Sequence, residues 1–299
     1  MRAVYVDRSP EMRDVIERYG PPAPSSLVIH DGSPSTQDLI EYGRQADVLL
    51  VERTRVEASV LDASRSLHTL IFMGTGAESY IDLLDAERRG IRIMTTPGYG
   101  DRAVAEHTLA LLLCAARQVA RMDRDVRAGH WMPLGGVQLQ GRKIAVIGLG
   151  GIGSAFADLA SALGMRVAAW NRTPKDLPYF VPDLDTALQG ADAVSLHLAL
   201  NDETTNLIDD RRLSLLRPGC LLINTARAQL VEERSLLQGL ADGRIGHAAL
   251  DVFHNEPLSY PNRYSGLPNV TLTSHAAYLT DDACSELWKR ALKALASLG

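Results

Sequence analysis

Short continuous apolar runs rich in Val, Ile and Leu alternate along the 299-residue chain with stretches in which apolar positions recur every three or four residues. In the first part the runs fall at 4–6, 27–29, 48–51, 70–72 and 91–94, and they predict strands buried on both faces. Helical spacing lies between them, near 11–19, 36–42, 58–61 and 81–89, so the chain up to about Pro97 reads as one complete parallel α/β unit. Thr96, Pro97 and Gly98 then punctuate it, and a long apolar helix is expected over 104–127. A second set of runs, at 143–147, 166–170, 193–196, 220–224, 246–250 and 270–272, predicts a six-stranded parallel sheet. The closing stretch 281–298 reads as an amphipathic helix.

The first run of the second set leads directly into Gly148, Gly150 and Gly153, spaced as G-x-G-x-x-G, and then into a helix-forming segment. That order suits a dinucleotide. Gly148 permits the tight turn out of the strand, Gly150 lets a pyrophosphate approach the backbone, and Gly153 lets the helix pack on the sheet. About twenty residues further on, such domains usually carry an acidic residue for the ribose 2′-hydroxyl. Here Asn171, Arg172 and Thr173 stand in that place, with Lys175 close by. A neutral amide and a guanidinium favour a 2′-phosphate, and so NADP(H) over NAD(H), with NAD(H) still possible. The alternative is that Arg172 is a solvated loop cation or stacks on the adenine without choosing between the cofactors.

Ligands of open parallel sheets bind beyond the carboxyl ends of the strands. Arg227 follows the fourth run of the second unit, Asp251 and Glu256 follow the fifth, and His275 follows the sixth. An arginine there can hold a carboxylate and polarise a carbonyl, and a histidine backed by a glutamate can donate a proton near neutral pH. Each residue alone is open to a structural reading, and their shared topological position is what joins them. His30, His68, His107 and His197 are read as structural residues or pocket walls.

Charge and composition narrow the partners. Lys and Arg number 31 against 36 Asp and Glu, a net charge of −5, which gives no general attraction to nucleic acid. No apolar run is long enough for a bilayer, and the start reads as a strand rather than a signal peptide, so a cytoplasmic protein without membrane contact is expected. Cys114, Cys220 and Cys284 lie far apart in apolar or helical surroundings and are read as reduced thiols, and no metal-ligand spacing emerges.

Taken together, the chain resembles the D-isomer-specific 2-hydroxyacid dehydrogenase family. The likeness rests on the Gly74 to Ala77 loop, Thr96-Pro97-Gly98 with Val104 to His107, the glycine fingerprint, Arg217 to Gly219, Asn224 to Arg227, Asp251 to Phe253 with Glu256-Pro257, and Ser274-His275. The resemblance implies two Rossmann-like or flavodoxin-like parallel-sheet domains with an active-site cleft between them. The substrate domain would be 1–98 plus 278–299 and the dinucleotide domain 99–277. It makes Arg227, Glu256 and His275 the catalytic set and gives the substrate carboxylate to the amides of Gly74, Thr75, Gly76 and Ala77. It places Val104, Gly148, Gly150, Gly151, Ile152, Gly153, Asn171, Arg172 and Thr173 at the cofactor, with Thr225, Ala226 and Asp251 at its carboxamide. It also implies a homodimer formed through the cofactor domain.

Some positions depart from the family pattern. Ala228 replaces a glycine, Gly100 an asparagine and Ala199 a proline, and the Gly74 loop runs about one residue longer than the common form. The expected activity is NADPH-linked reduction of a small 2-oxoacid such as glyoxylate or hydroxypyruvate. Glu256 in place of a glutamine disfavours formate oxidation, and no regulatory extension is expected after the last helix. The alternatives are a cofactor-sensing, corepressor-like binding protein of the same fold and a phosphite or phosphonate oxidoreductase.

Overall fold

The computed structural model describes residues 1–298, which divide into two compact units, 1–100 with 278–298 and 101–277. In the first unit five parallel strands, β1 (Ala3–Arg8), β2 (Leu27–Asp31), β3 (Val48–Val51), β4 (Thr69–Phe72) and β5 (Arg92–Thr95), lie in the order β2-β1-β3-β4-β5. This is the flavodoxin-like order. The central strands β3 and β4 are buried at every position, because helices cover both faces of the sheet. The edge strands β2 and β5 are only partly covered.

The final helix, Asp281–Ala296, belongs to this unit. Thr280 caps it by accepting the Ala283 amide. Its apolar face places Leu287, Trp288 and Ala291 in the same core as Tyr5, Leu50 and Ile71. Trp288 is fully buried and stacks on Tyr5 at 6.2 Å, and its indole N–H donates to the Pro21 carbonyl, so the one polar atom of the ring is satisfied.

The second unit has six parallel strands, β6 (Lys143–Ile147), β7 (Arg166–Trp170), β8 (Ala193–Leu196), β9 (Cys220–Asn224), β10 (Ile245–Leu250) and β11 (Val270–Leu272), in the order β11-β10-β9-β8-β6-β7. A rudimentary strand at 179–181 extends the β7 edge: Ala169 donates to Tyr179 and accepts from Val181. Counting it as the third of seven strands gives the order 3-2-1-4-5-6-7, which contains the 3-2-1-4-5-6 arrangement of dinucleotide-binding sheets. The edge at β7 is thus covered by paired backbone rather than left open.

The single helix expected over 104–127 is two helices, Asp101–Arg117 and Val119–Arg127. The break is at Gln118, which adopts a left-handed conformation with φ of 53°. The segment after the second helix folds back to make this possible. Val137 donates to the Ala116 carbonyl at 2.9 Å and Gln118 Nε2 donates to the Gly135 carbonyl. The first of these bonds satisfies a carbonyl that a continued helix would have used. Gly136 lies so close to the Ala116 carbonyl that a Cβ there would collide with it. The second helix buries none of its residues. Among the described residues no helix is long and apolar enough to cross a membrane.

Candidate active site

The fingerprint turn joins β6 to the helix Gly151–Ala162. Gly148 has φ of +104°, and a Cβ there would strike the His197 carbonyl; at Gly153 a Cβ would strike the Gly148 carbonyl. Both positions therefore require glycine. Gly150, the N-cap, is exposed, with no other group within 4 Å of where its Cβ would be, and no side chain caps the helix. An open backbone before uncapped first-turn amides is what a dinucleotide pyrophosphate requires, so these residues fit such a cofactor. Ile152 is half-buried, while Gly151 is exposed with the Asp101 carboxylate lying where its side chain would go. Asp101 carries no signal in the sequence.

His197 follows β8, beneath this turn. Its Nε2 lies 2.9 Å from Ser195 Oγ, and burial pushes its pKa down to about 3. The ring is therefore neutral at ordinary pH. Asn171, at the end of β7, is committed to the turn as well: Oδ1 accepts the Leu149 amide and Nδ2 donates to the Thr173 carbonyl. It braces the fingerprint through both ends of its amide. Arg172 and Thr173 are exposed, and Arg172 Nη1 donates to Glu203 Oε2 at 2.9 Å.

Three neighbouring strands, β9, β10 and β11, deliver the other chemistry. Beyond β9, the Asn224 side chain bridges the Ala226 amide and the Arg227 carbonyl, forming a tight turn from which Arg227 emerges. Its Nη1 donates to the Ala226 carbonyl at 2.7 Å. Ala228 begins a short 3₁₀ turn, and its extra methyl is buried without disturbing this geometry. Thr225 is tied to Thr108 on the helix Asp101–Arg117 by a 2.9 Å hydroxyl pair, and Val104 of that helix is buried and accepts from Thr108 through its carbonyl.

Beyond β10, Glu256 Oε1 accepts the Phe253 amide at 2.8 Å and Oε2 lies 2.6 Å from His275 Nδ1. Burial raises the Glu256 pKa. The hydrogen bonds from His275 and Phe253, with the charges of His275 and Arg227, outweigh it and hold the carboxyl below its ordinary value. Arg227 therefore lies near enough to act on Glu256 electrostatically. The glutamate stays ionised beside the imidazole, which fixes Nδ1 as the bonded nitrogen and leaves Nε2 for other partners.

His275 itself sits in the left-handed region at φ of +55°, an uncommon conformation for a residue with a side chain. Asp251 holds it there. The Asp251 carbonyl accepts the His275 amide, Oδ1 accepts the Thr273 hydroxyl at 2.6 Å and the Ala276 amide at 3.0 Å, and Oδ2 accepts the Ala277 amide at 3.0 Å. Asp251 is fully buried. The resemblance places Asp251 at the cofactor carboxamide, and in the structure both of its carboxylate oxygens accept from the 273–277 turn. His107 Nε2 lies 3.2 Å from Thr273 Oγ1, which extends this network to the helix Asp101–Arg117.

In the first unit the loop Gly74, Thr75, Gly76 and Ala77 follows β4 at the carboxyl end of its sheet. Gly74 is pinned, donating to Phe72 and accepting from Thr96, and a Cβ on it would strike the Phe72 ring. Among the described residues, the amides of Thr75, Gly76 and Ala77 donate to no other group. Consecutive free amides make an anion-binding concavity.

Comparison with known proteins shows the family. The sequence model for the D-isomer specific 2-hydroxyacid dehydrogenase NAD binding domain matches residues 109–277. The glyoxylate reductase of Aeropyrum pernix is 36% identical over 262 residues, which cover 83% of this chain and 78% of that protein. The hydroxypyruvate reductase of Thermotoga maritima is 33% identical over 253 residues, 82% of each. The crystal structure of the TT0316 protein from Thermus thermophilus superposes with a TM-score of 0.86 at 34% identity, covering 100% of this chain and 97% of that one. The chain belongs to the D-isomer specific 2-hydroxyacid dehydrogenase family.

Proposed function

We propose that this enzyme reduces a small 2-oxoacid of the glyoxylate or hydroxypyruvate class to the D-2-hydroxyacid, with NADPH preferred over NADH. The observation that carries the reading is the 2.6 Å pair of His275 Nδ1 and Glu256 Oε2, within reach of the Arg227 charge at the ends of three adjacent strands. The matched relatives named above act on substrates of this class.

The fingerprint residues Gly148 to Gly153 would hold the pyrophosphate, and Arg172 with Thr173 the adenosine end. Thr225, Ala226 and Val104 stand toward the nicotinamide end, which Asp251 serves through the turn it holds. When bound, the nicotinamide supplies a hydride to the substrate's carbonyl carbon. Arg227 polarises the carbonyl and helps to fix the substrate carboxylate. In the first unit, the amides of Thr75, Gly76 and Ala77, in the loop that begins at Gly74, are suited to a carboxylate. His275 donates a proton from Nε2 to the developing alkoxide, while Glu256 keeps the imidazole oriented. The unit 1–100 with 278–298 is thus the substrate domain, and 101–277 the cofactor domain.

An exposed apolar stretch in the cofactor unit points to a homodimer. Val119, Val126, Trp131 and Met132 face solvent, Trp131 at 84% exposure and Met132 at 66%. A second copy that covered them would remove this surface from water. The three free thiols accord with the reducing cytoplasm as its compartment. A panel of 2-oxoacids assayed with NADH and NADPH in parallel tests the reading. Turnover of glyoxylate or hydroxypyruvate, faster with NADPH, is expected; binding of cofactor with no turnover on any 2-oxoacid would overturn it.

A further inference from the structure

The end of β7 lacks the carboxylate that commonly grips a ribose 2′-hydroxyl, and Asn171, which stands there, is spent on the fingerprint turn. The fold returns a carboxylate from a different strand. Glu203 lies in the loop after β8, where Asn201 Oδ1 accepts the amides of Glu203 and Thr204, each at 3.0 Å, and the Thr204 hydroxyl donates to the Ala199 carbonyl at 2.8 Å. This turn fixes the backbone of Glu203. Its side chain reaches Arg172, and the two meet at 2.9 Å with 75% of the Arg172 side chain and 72% of the Glu203 side chain exposed. The pair is solvated and weakly held, so either partner is free to exchange for a ligand.

We propose that Glu203 sets the cofactor preference by competing with a 2′-phosphate for Arg172. The proposal rests on the reading that the dinucleotide binds at the fingerprint with its adenosine ribose at the end of β7. With a 2′-hydroxyl cofactor, Glu203 accepts a hydrogen bond from the hydroxyl and keeps Arg172 as its partner. A 2′-phosphate must displace Glu203 from the guanidinium and then lie beside its carboxylate, and both effects weaken NADPH. Arg172 favours NADPH and Glu203 tempers that preference, so the two side chains together, one from each loop, define a site able to accept either cofactor.

Breaking a solvated ion pair and placing a dianion near a carboxylate in a high-dielectric setting together correspond to about a tenfold change in affinity. The test is a titration of NADH and of NADPH into the full-length protein, followed by nicotinamide fluorescence without substrate, for the wild type, Glu203→Gln, Arg172→Ala and the double variant. In Glu203→Gln the NADPH Kd should fall about tenfold while the NADH Kd stays level or rises. Arg172→Ala should shift the ratio the opposite way. An unchanged ratio in Glu203→Gln, with Arg172→Ala still lowering NADPH affinity, overturns the role of Glu203 and leaves the phosphate reading of Arg172 intact. Equal affinities for both cofactors in wild type and Arg172→Ala overturn that reading, and this proposal with it. Loss of the Glu203→Gln gain in the double variant is the expected result, because the competition requires Arg172; a gain that persists undiminished without Arg172 overturns the competition.

Discussion

Asp251→Asn tests whether the buried carboxylate shapes the proton donor. The Asp251 carboxylate accepts three hydrogen bonds from the 273–277 turn, one from a hydroxyl and two from amides. Asparagine can keep Oδ1 on Thr273 and Ala276, but its NH2 then faces the Ala277 amide, donor against donor. Ala277 is only 5% exposed, so its amide is left without water as well as without a partner. A bond to a charged acceptor contributes about 1.5–3 kcal/mol and a stranded buried donor costs about 1–3 kcal/mol; the two overlap, giving a net cost of roughly 2–4 kcal/mol. If most of this falls on the turn, about 2 kcal/mol corresponds to a roughly 30-fold loss of the ordered conformation. Because His275 sits at positive φ within that turn, it should relax away once the restraint is gone. The assay combines kcat on a 2-oxoacid, urea denaturation and amide exchange at Ala276 and Ala277. Turnover should fall by at least about tenfold, with faster exchange at both amides. Thr273→Val, which removes one hydroxyl donor and leaves the two amides bonded, should cost only about 1 kcal/mol. Unaltered exchange and turnover in Asp251→Asn would refute the reasoning.

Other outcomes follow from the same geometry. Gly148→Ala should destabilise the cofactor unit by about 2–4 kcal/mol, since it forces a side chain into positive φ and against the His197 carbonyl; an unchanged melting temperature would contradict the account of the turn. His197, with its pKa pushed down to about 3, remains neutral in the folded chain at pH 5 while the unfolded chain protonates it. Folding stability should therefore decline as pH falls below about 6.5, with a loss of about 2 kcal/mol from this group at pH 5. Urea titrations at pH 7.5 and pH 5 should show the decline, and His197→Asn should reduce it. Trp131→Arg should shift sedimentation toward the monomer; a wild type that is already monomeric would remove the dimer from the proposal.

The strands are legible in the sequence because each central one is buried on both faces and reads as an unbroken apolar run. β3, with four buried apolar residues in a row, has no competing period. Arg227, Glu256 and His275 stand out for a topological reason, since residues after parallel strands gather at one edge of the sheet. The His275–Glu256 contact itself depends on the turn built by Asp251, at a separate strand end, and spacing alone does not show that arrangement. The helix break at Gln118 is invisible in the local sequence because its cause lies in Gly135 and Val137, which return from beyond the next helix. Glu203 gives no signal for the same reason: its partner Arg172 is 31 positions away on another loop. The place of Asn171 after β7 points to a cofactor contact, and only the folded chain shows its amide already bonded on both sides.

The central claim is that His275 delivers the proton during carbonyl reduction. The direct measurement is single-turnover oxidation of bound NADPH by a 2-oxoacid in His275→Gln, alongside the affinity of that variant for NADPH. The account predicts a rate reduced by about 100-fold or more with affinity nearly unchanged. A single-turnover rate equal to that of the wild type would contradict it.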